Sequence, residues 1–326
     1  MALLGTNVLT LADHARRTDP DGGIAQIVEL LGETNEILED MLWLEGNLPT
    51  GHRTTVRSGL PGVAWRKLNY GIQPTKSTTV QVDDTVGSLE AYSEVDRDLA
   101  VLNGLSGDFR LSEASAFLEA MSREMAETLF YGDTDSEPEK FLGLSARYSS
   151  LSAENGANVI DAGGEGADLS SLWVVTWGAR TCHGIFPKGS TAGVSHQDLG
   201  EVTLEDENGG KYQGFRDHWQ WKAGLSLRDW RYVVRVANVD VSDALSGTTG
   251  LDKLLIKALG RIPSLNAGKT AIYMNGDLKT ALDVEASDNQ NVNLRLDEFG
   301  GKPLTVFRGV PIRRVDAISS SELHVA

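Results

Sequence analysis

The chain has 326 residues, 40% hydrophobic and 23% charged, which is typical of a folded globular protein rather than a disordered one. Its 30 Lys and Arg against 46 Asp and Glu give a net charge of −16, which excludes general binding of nucleic-acid phosphates through a cationic surface. The single cysteine, Cys182, excludes an intrachain disulfide and a multi-thiolate metal site.

The N-terminal stretch, residues 1–23, has no basic region ahead of its short apolar run, so we expect no signal peptide. No stretch of the sequence reaches the length of a membrane span, and we expect a protein that is made inside a cell and has no membrane partner. Residues 24–44 have helical apolar spacing and an acidic outer face, which predicts an amphipathic helix. This helix either packs on its own domain or, with the segment before it, forms an arm on a neighbouring chain.

Residues 46–89 are rich in Thr, Val, Ser and Gly, and their β-forming runs, at 54–56, 63–70 and 74–82, are separated by Gly and Pro. This pattern predicts a long hairpin with too few apolar residues for a core of its own. The alternatives are an ordinary edge hairpin or an extended arm whose partner is another chain. For the arm, the candidate inter-subunit contact residues are Arg53, Arg57, Trp65, Arg66, Lys67, Tyr70 and Lys76.

Residues 108–131 predict a long amphipathic helix, because apolar side chains recur there every three or four residues. Such a helix is about 30 Å long, enough to cross a domain. On this stretch alone the simplest interpretation is a long core helix, and the segments on either side of it decide whether it has a further role. The residues predicted to form its buried face are Leu111, Leu118, Met121, Met125 and Leu129.

The rest of the chain is predicted to contain both helices and strands, which do not alternate strictly. Residues 90–107 predict a short helix or turn, residues 133–139 an acidic loop, and Asn208-Gly209 the turn of a hairpin over 200–214. Residues 170–177 predict a helix or a buried strand, and their β-branched and Trp content favours the strand. Further strands are predicted within 215–241 and at 271–274, 304–307 and 312–315. Helices are predicted at 251–259, capped by Thr248 or Thr249, and at 277–286, capped by Asn275 or Asp277. Segregated helices and strands indicate the α+β class.

A search for catalytic patterns finds none that is specific. Gly268-Lys269-Thr270 lacks both the earlier glycine and the following helix of a phosphate-binding loop. The adjacent Cys182 and His183 are a poor nucleophile–base pair, and the six histidines have no metal-ligand spacing. The sequence therefore predicts no enzyme, no cofactor and no metal site.

Five tryptophans lie in β-rich segments, and they allow a second interpretation. Their faces could stack on sugars, which would make the chain a carbohydrate-binding or adhesive β-domain, although packing in a core or interface is the simpler expectation. A third hypothesis is a hydrolase that uses acidic residues. Changing Trp219 and Trp221 to Ala would separate packing from glycan binding. The five are Trp173, Trp177, Trp219, Trp221 and Trp230.

Several stretches, taken in order, are similar to the major capsid proteins of tailed bacteriophages, specifically of short-tailed phages. They are residues 173–178 (WVVTWG), 184–189 (GIFPKG), 214–240, Met274-Asn275 before a helix, and 307–311 (FRGVP) before the last strand. The resemblance spans most of the chain. None of these short stretches is a specific motif by itself, and the specificity comes from the order and spacing of all of them.

This resemblance implies the α+β tailed-phage capsid fold of the Hong Kong 97 type. In that fold residues 1–45 correspond to an N-terminal arm and helix, and residues 46–89 to an extended hairpin loop that lies over the neighbouring subunit. Residues 90–140, together with later strands including 304–326, correspond to a peripheral domain with the spine helix. Residues 141–303 correspond roughly to an axial domain and shared sheet.

The resemblance also implies a function as a structural major capsid protein that assembles into hexamers and pentamers of an icosahedral shell around double-stranded DNA. Expected partners are further copies of the chain, a separate scaffolding protein, a portal and, optionally, a cementing protein. DNA contacts are expected to be weak and independent of sequence. The protein would be assembled in the host cytoplasm and located in the virion. Lys67 and Lys76 have no defined acceptor for a covalent cross-link, so reinforcement is expected to be non-covalent.

Overall fold

Helices and strands are segregated in the computed structural model, which describes residues 35–102, 106–206, 208–289, 294–299 and 302–326. The helices are α1 (Ile37–Asp40), α2 (Arg97–Ala100), α3 (Ser106–Tyr131), α4 (Leu144–Arg147), α5 (Val241–Leu245), α6 (Leu251–Arg261) and α7 (Gly276–Asn289). The strands are β1 (Trp43–Glu45), β2 (Gly51–Gly59), β3 (Thr78–Asp96), β4 (Val159–Asp161), β5 (Leu169–Trp177), β6 (Cys182–Phe186), β7 (Val194–Glu205), β8 (Lys211–Leu227), β9 (Val233–Asp240), β10 (Lys269–Met274), β11 (Leu294–Phe299), β12 (Lys302–Phe307) and β13 (Val310–Arg314). None of the helices in these ranges is both long and apolar enough to cross a membrane.

The described residues form two compact units. The first contains Ser88–Ala126 and Gly193–Lys222, and the second contains Asn35–Gly87, Glu127–Ala192 and Ala223–Ala326. In the first unit, β7 and β8 form an antiparallel hairpin whose last pair is Glu205 with Lys211. The predicted Asn-Gly turn closes it, and Gly209 takes the positive φ of 80° that glycine tolerates.

Arg110 fixes the first half of α3 to this hairpin. Its Nη2 lies 2.8 Å from Asp198 Oδ1 and 2.8 Å from Asp217 Oδ1, and its guanidinium lies over the Phe215 ring. His196 Nε2 lies 2.9 Å from the same Asp217 oxygen, and its ring stacks on Trp219. Two ion pairs and one cation–ring contact of Arg110 therefore attach the first half of α3 to the hairpin, and the ring stack of His196 on Trp219 lies within the hairpin itself.

The core of the second unit lies between a sheet and two helices. Strand β5 is buried along its whole length and pairs antiparallel with β10 on one side and β9 on the other. Helix α6 buries Leu251, Leu254, Leu255, Ala258 and Leu259, the spacing of one helix face, against this sheet. Asn275 Oδ1 accepts a hydrogen bond from Leu278 N and caps α7, as one of the two predicted caps.

Four of the five tryptophans are buried. Trp173 contacts the rings of Phe130 and Tyr148, and Trp177 donates a hydrogen bond of 2.7 Å to Tyr273 Oη. Trp219 and Trp221 are also buried, and only Trp230 of the five is substantially exposed. Their faces are occupied by protein, so the structure gives no support to a sugar-stacking surface.

The predicted helix over 24–44 is correct only at α1 within its described part, and residues 24–34 lie outside the described residues. Residues 41–45 leave the helical conformation after the single turn of α1, and β1 pairs in parallel with β6. Asp40 explains this path, because its carboxylate, 3% exposed, lies 2.6 Å from Lys269 Nζ and 3.1 Å from Arg313 Nε. Apolar periodicity could not reveal that partners more than 200 residues away fix this segment.

Other differences from the predictions are local. Residues 90–96, predicted as a helix or turn, continue strand β3, and Asp96 then caps α2 by accepting from Asp98 N at 2.8 Å. Residues 63–70, predicted as a strand, contain none. The cap of α6 is Gly250 instead of Thr248 or Thr249, and strand β11 was not predicted.

Candidate inter-subunit surface

Strands β2 and β3 form the root of the long hairpin. They pair antiparallel from Gly51 with Thr85 to Gly59 with Thr78, with one irregularity between Arg57 and Gly59. The paired part is about 30 Å long at 3.4 Å per residue. Residues 60–77 join the two strands and have no regular structure beyond one turn at 68–69.

The tip of this hairpin, residues 60–76, is exposed at every position. Trp65 has 102% of its reference accessible area, and the ring of Tyr70 is also mostly in solvent. Large apolar side chains that are at least half exposed occur six times in these 17 positions, whereas a single protein rarely leaves such a patch uncovered. They are Leu60, Val63, Trp65, Leu68, Tyr70 and Ile72.

The hairpin is also cationic within a strongly acidic chain. Residues 46–82 contain five of the 30 Lys and Arg and none of the 46 Asp and Glu. Arg53 is neutralised locally, because its Nε and Nη2 donate to Asp83 at 2.6 and 2.7 Å. Among the described residues, no carboxylate lies within ion-pair distance of the remaining four, which are Arg57, Arg66, Lys67 and Lys76.

The structure places all seven candidate contact residues on this hairpin, five of them in the exposed tip and the other two, Arg53 and Arg57, on strand β2. The tip makes few contacts of its own. Thr75 Oγ1 donates to Gly62 O at 2.7 Å, and Asn69 takes a φ of 65°, in the left-handed region. A tip with this little internal support leaves its apolar and cationic groups free for another surface.

The five residues proposed for the buried face of α3 are not equivalent. Met121, Met125 and Leu129 are buried, whereas Leu118 is 39% exposed, which departs from the prediction. The side chain of Leu111 lies outside the described residues. Leu118 has the helical spacing of a core residue but belongs to the N-terminal half of the helix, where Arg110 supplies the described attachment.

The hairpin root rests on a buried polar cluster in the second unit. Asp84 Oδ1 accepts from Arg147 Nη2 at 2.8 Å, and Arg147 also donates to Leu225 O. His52 Nε2 lies 2.7 Å from Arg228 Nη2, and the His52 ring meets His183 edge to face. Sequence reasoning missed this cluster, because its members come from five separate segments.

Acid is expected to weaken the fold through this cluster. Burial, followed by the charges of Arg228 and His52, lowers the pKa of His183 to about 4. In the unfolded chain the pKa of this histidine is near 6.5, so between about pH 6.5 and pH 4 the unfolded state binds more protons than the folded state. The free energy of unfolding is therefore highest above about pH 6.5 and decreases as the pH falls to about 4. Changing His183 to Leu should remove on the order of 2 kcal/mol of this loss in urea unfolding.

The exposed His324 provides the matched control for this experiment. A His324→Leu variant should keep the pH dependence of the unchanged chain, because its side chain is in solvent in the folded state as well. Equal pH profiles for His183→Leu and the unchanged chain would contradict the assignment of His183 as the acid-sensitive group.

The neighbouring cysteine has no nucleophilic character. Cys182 is fully buried, and burial raises the pKa of its thiol to about 12. In the part of the chain that the structure describes, no group of three or more His, Cys, Asp or Glu side chains could hold a metal ion. Neither Cys182 nor a metal cluster within the described residues offers a functional site, whereas the exposed hairpin offers a contact surface.

Comparisons with known proteins supply that context. The family described as major capsid protein GP7 matches residues 19–326. A chain in the structure of bacteriophage epsilon15 is similar at 35% identity with a TM-score of 0.79, covering 100% of both chains. The capsid of bacteriophage JBD30, at 9% identity and a TM-score of 0.50 over 89% of this chain and 92% of that one, shows the fold alone. The comparison with curated proteins found no match.

A family match over almost the whole chain and a full-length relative above 30% identity account for the architecture. They agree with the resemblance carried by residues 173–178, 184–189 and 307–311, and with the α+β fold of the Hong Kong 97 type. The same matches identify the virion as the location of this structural protein. The chain belongs to the major capsid protein GP7 family of tailed bacteriophages.

Proposed function

We propose that copies of this chain form the hexamers and pentamers of an icosahedral shell around double-stranded DNA, and that the hairpin of residues 46–89 lies over the neighbouring subunit. The observation that carries this proposal is the exposed tip, which is apolar and cationic. Exposure of such a tip is unfavourable in an isolated subunit and is relieved when the tip is covered.

The charge distribution supports a second copy of the chain as the partner. Residues 46–82, with five cations and no carboxylate, belong to a chain of net charge −16, so another copy presents the complementary acidic surface. Individual contacts of this kind can be weak, because the geometry of a closed shell keeps neighbouring subunits at high effective concentration.

The other domains follow the same proposal. By this proposal residues 1–45 correspond to the N-terminal arm and helix, residues 90–140 with 304–326 to the peripheral domain, and residues 141–303 roughly to the axial domain and shared sheet. Of the first of these segments, the described residues 37–45 pack on the chain's own sheet. A separate scaffolding protein, a portal and, optionally, a cementing protein complete the particle, which is assembled in the host cytoplasm. The acidic chain keeps its contacts with packaged DNA weak and independent of sequence, because it offers few cations for phosphates.

The experiment is size-exclusion chromatography with light scattering on the purified full chain, followed by negative-stain images of the heavy fraction. We expect megadalton spherical shells or capsomer rings, either from the chain alone or after co-expression with a scaffolding protein. A chain that remains monomeric under both conditions would overturn the proposal.

A further inference from the structure

A cavity of about 590 Å³ lies in the second unit where helix α3 ends. Its lining includes Glu127, Tyr131 and Asp133 from the end of α3 and the loop after it, Leu323 from the C-terminal segment, and Ser149. The volume is typical of a site that receives a large side chain or a small ligand.

The base of this cavity is rigid. Arg235 Nη2 donates to Glu322 Oε2 at 2.7 Å, and both side chains are almost completely buried. Tyr131 Oη donates to the other Glu322 oxygen at 2.5 Å and accepts from Ser319 N at 2.9 Å. These bonds hold the C-terminal segment against the end of α3, so the cavity keeps its shape without an occupant.

The rim of the cavity is acidic and partly apolar. Glu127, exposed on α3, and Asp133 line the cavity, and the loop that follows the helix also carries the exposed Asp135 and Glu139 just outside the lining. Among the described residues, no cation lies within ion-pair distance of these four carboxylates. Leu323 is 90% exposed beside them, although residues on both sides of it are fixed by hydrogen bonds.

The hairpin tip has the complementary properties. Trp65 is a fully exposed aromatic side chain and is followed directly by Arg66 and Lys67, which have no carboxylate partner in the described chain. Aromatic side chains flanked by cations are the usual anchors of protein interfaces. Since Trp65 is fully exposed within a single chain, it does not fill that chain's own cavity.

We propose that Trp65 of one copy inserts into the cavity at the end of α3 of a second copy, with Arg66 and Lys67 paired to the acidic rim. The inference rests on the proposed function, because it requires that the hairpin covers a neighbouring subunit, and it specifies where on that subunit the tip binds. Each copy then has two different contact surfaces, the hairpin tip and the cavity. The tip of one copy binds the cavity of the next, and such a head-to-tail contact closes into a ring when the rotation between neighbours allows it.

The first test is disulfide cross-linking of the full chain carrying Ala64→Cys and Ser149→Cys. Both positions are exposed, Ala64 adjoins Trp65 without replacing it, and the native Cys182 is buried and does not interfere. Under mild oxidation, multimers that disappear on reduction should form about tenfold more efficiently than in the control, because a disulfide requires Cα atoms less than about 7 Å apart.

The control pairs Ala64→Cys with Val284→Cys, which is exposed on α7 and does not line the cavity. If assembled shells of both variants give equal cross-linking, the tip binds elsewhere and the inference is wrong, while the proposed function stands. If the unchanged chain forms neither shells nor rings under any condition, the proposed function itself fails.

Charge reversal gives an independent test. Arg66→Glu with Lys67→Glu should reduce assembly by about tenfold or more, because it places like charges against the rim. Adding Glu127→Lys and Asp135→Lys should restore assembly to within about threefold of the unchanged chain, since the pairing is then reversed on both surfaces. Restoration confirms the contact, whereas a further loss in the fourfold variant contradicts it.

Discussion

Replacing residues 60–77 by Asn-Gly is expected to abolish shell assembly and to leave the subunit folded. Gly59 and Thr78 are the last pair of the hairpin, so a two-residue turn can close it in register. The removed residues are almost all in solvent, and surface changes of this kind usually alter stability by less than about 0.5 kcal/mol each. The variant lacks the side chains that would anchor the tip on a neighbouring subunit, so we expect the amount of assembled shell to fall by about a hundredfold or more.

Two measurements separate folding from assembly in this variant. Circular dichroism and thermal melting should match the unchanged chain, while light scattering should show no material heavier than a small oligomer. A length-matched control replaces the same residues by a flexible Gly-Ser segment. This control should also fail to assemble, because it keeps the length of the tip and lacks its apolar and cationic side chains. Normal shells from either variant would show that the tip is dispensable.

The hairpin was predictable from the sequence because its signals are local. A run of β-forming residues between Gly and Pro, with too few apolar side chains for a core of its own, sets residues 46–89 apart from the rest of the chain without any knowledge of partners. The helix over 106–131 was predictable for the same reason, since apolar periodicity needs only neighbouring residues.

The features that escaped prediction depend on distant residues. The path of residues 41–45 follows from pairing with β6 and from the ion pairs of Asp40, neither of which leaves a trace in local spacing. The cavity at the end of α3 is formed by segments almost 200 residues apart. Leu118 shows a limit of local patterns. Its helical spacing correctly identifies the apolar face of α3, but the spacing does not show whether another element covers that position, and Leu118 is exposed.

The second large effect is expected from the buried pair Arg235 and Glu322. Changing Arg235 to Met removes the cation that lies 2.7 Å from Glu322 and leaves that carboxylate buried without it. Breaking one partner of such a pair costs about 3–5 kcal/mol. Urea unfolding followed by tryptophan fluorescence is a suitable measurement, because the Arg235 guanidinium lies 5.2 Å from the Trp173 ring.

The surface pair of Arg231 and Asp229 provides a matched control with the same substitution. Arg231 Nη2 lies 2.7 Å from Asp229 Oδ2, but the Arg231 side chain is 57% exposed. Arg231→Met should therefore cost less than about 1 kcal/mol. If both variants lost the same small amount, the pair of Arg235 and Glu322 would not be holding the C-terminal segment in place.

The double variant Arg235→Met with Glu322→Leu tests the mechanism of the loss. It removes both charges together, so it should recover most of the stability that the single change loses, since the penalty of an unpaired buried charge is gone. Shell assembly should not recover with it, because the bonds of Glu322 with Arg235 and Tyr131 that hold the base of the cavity are lost in the double variant as well. A double variant that folds well and assembles poorly would separate the stability of the subunit from the shape of its contact surface.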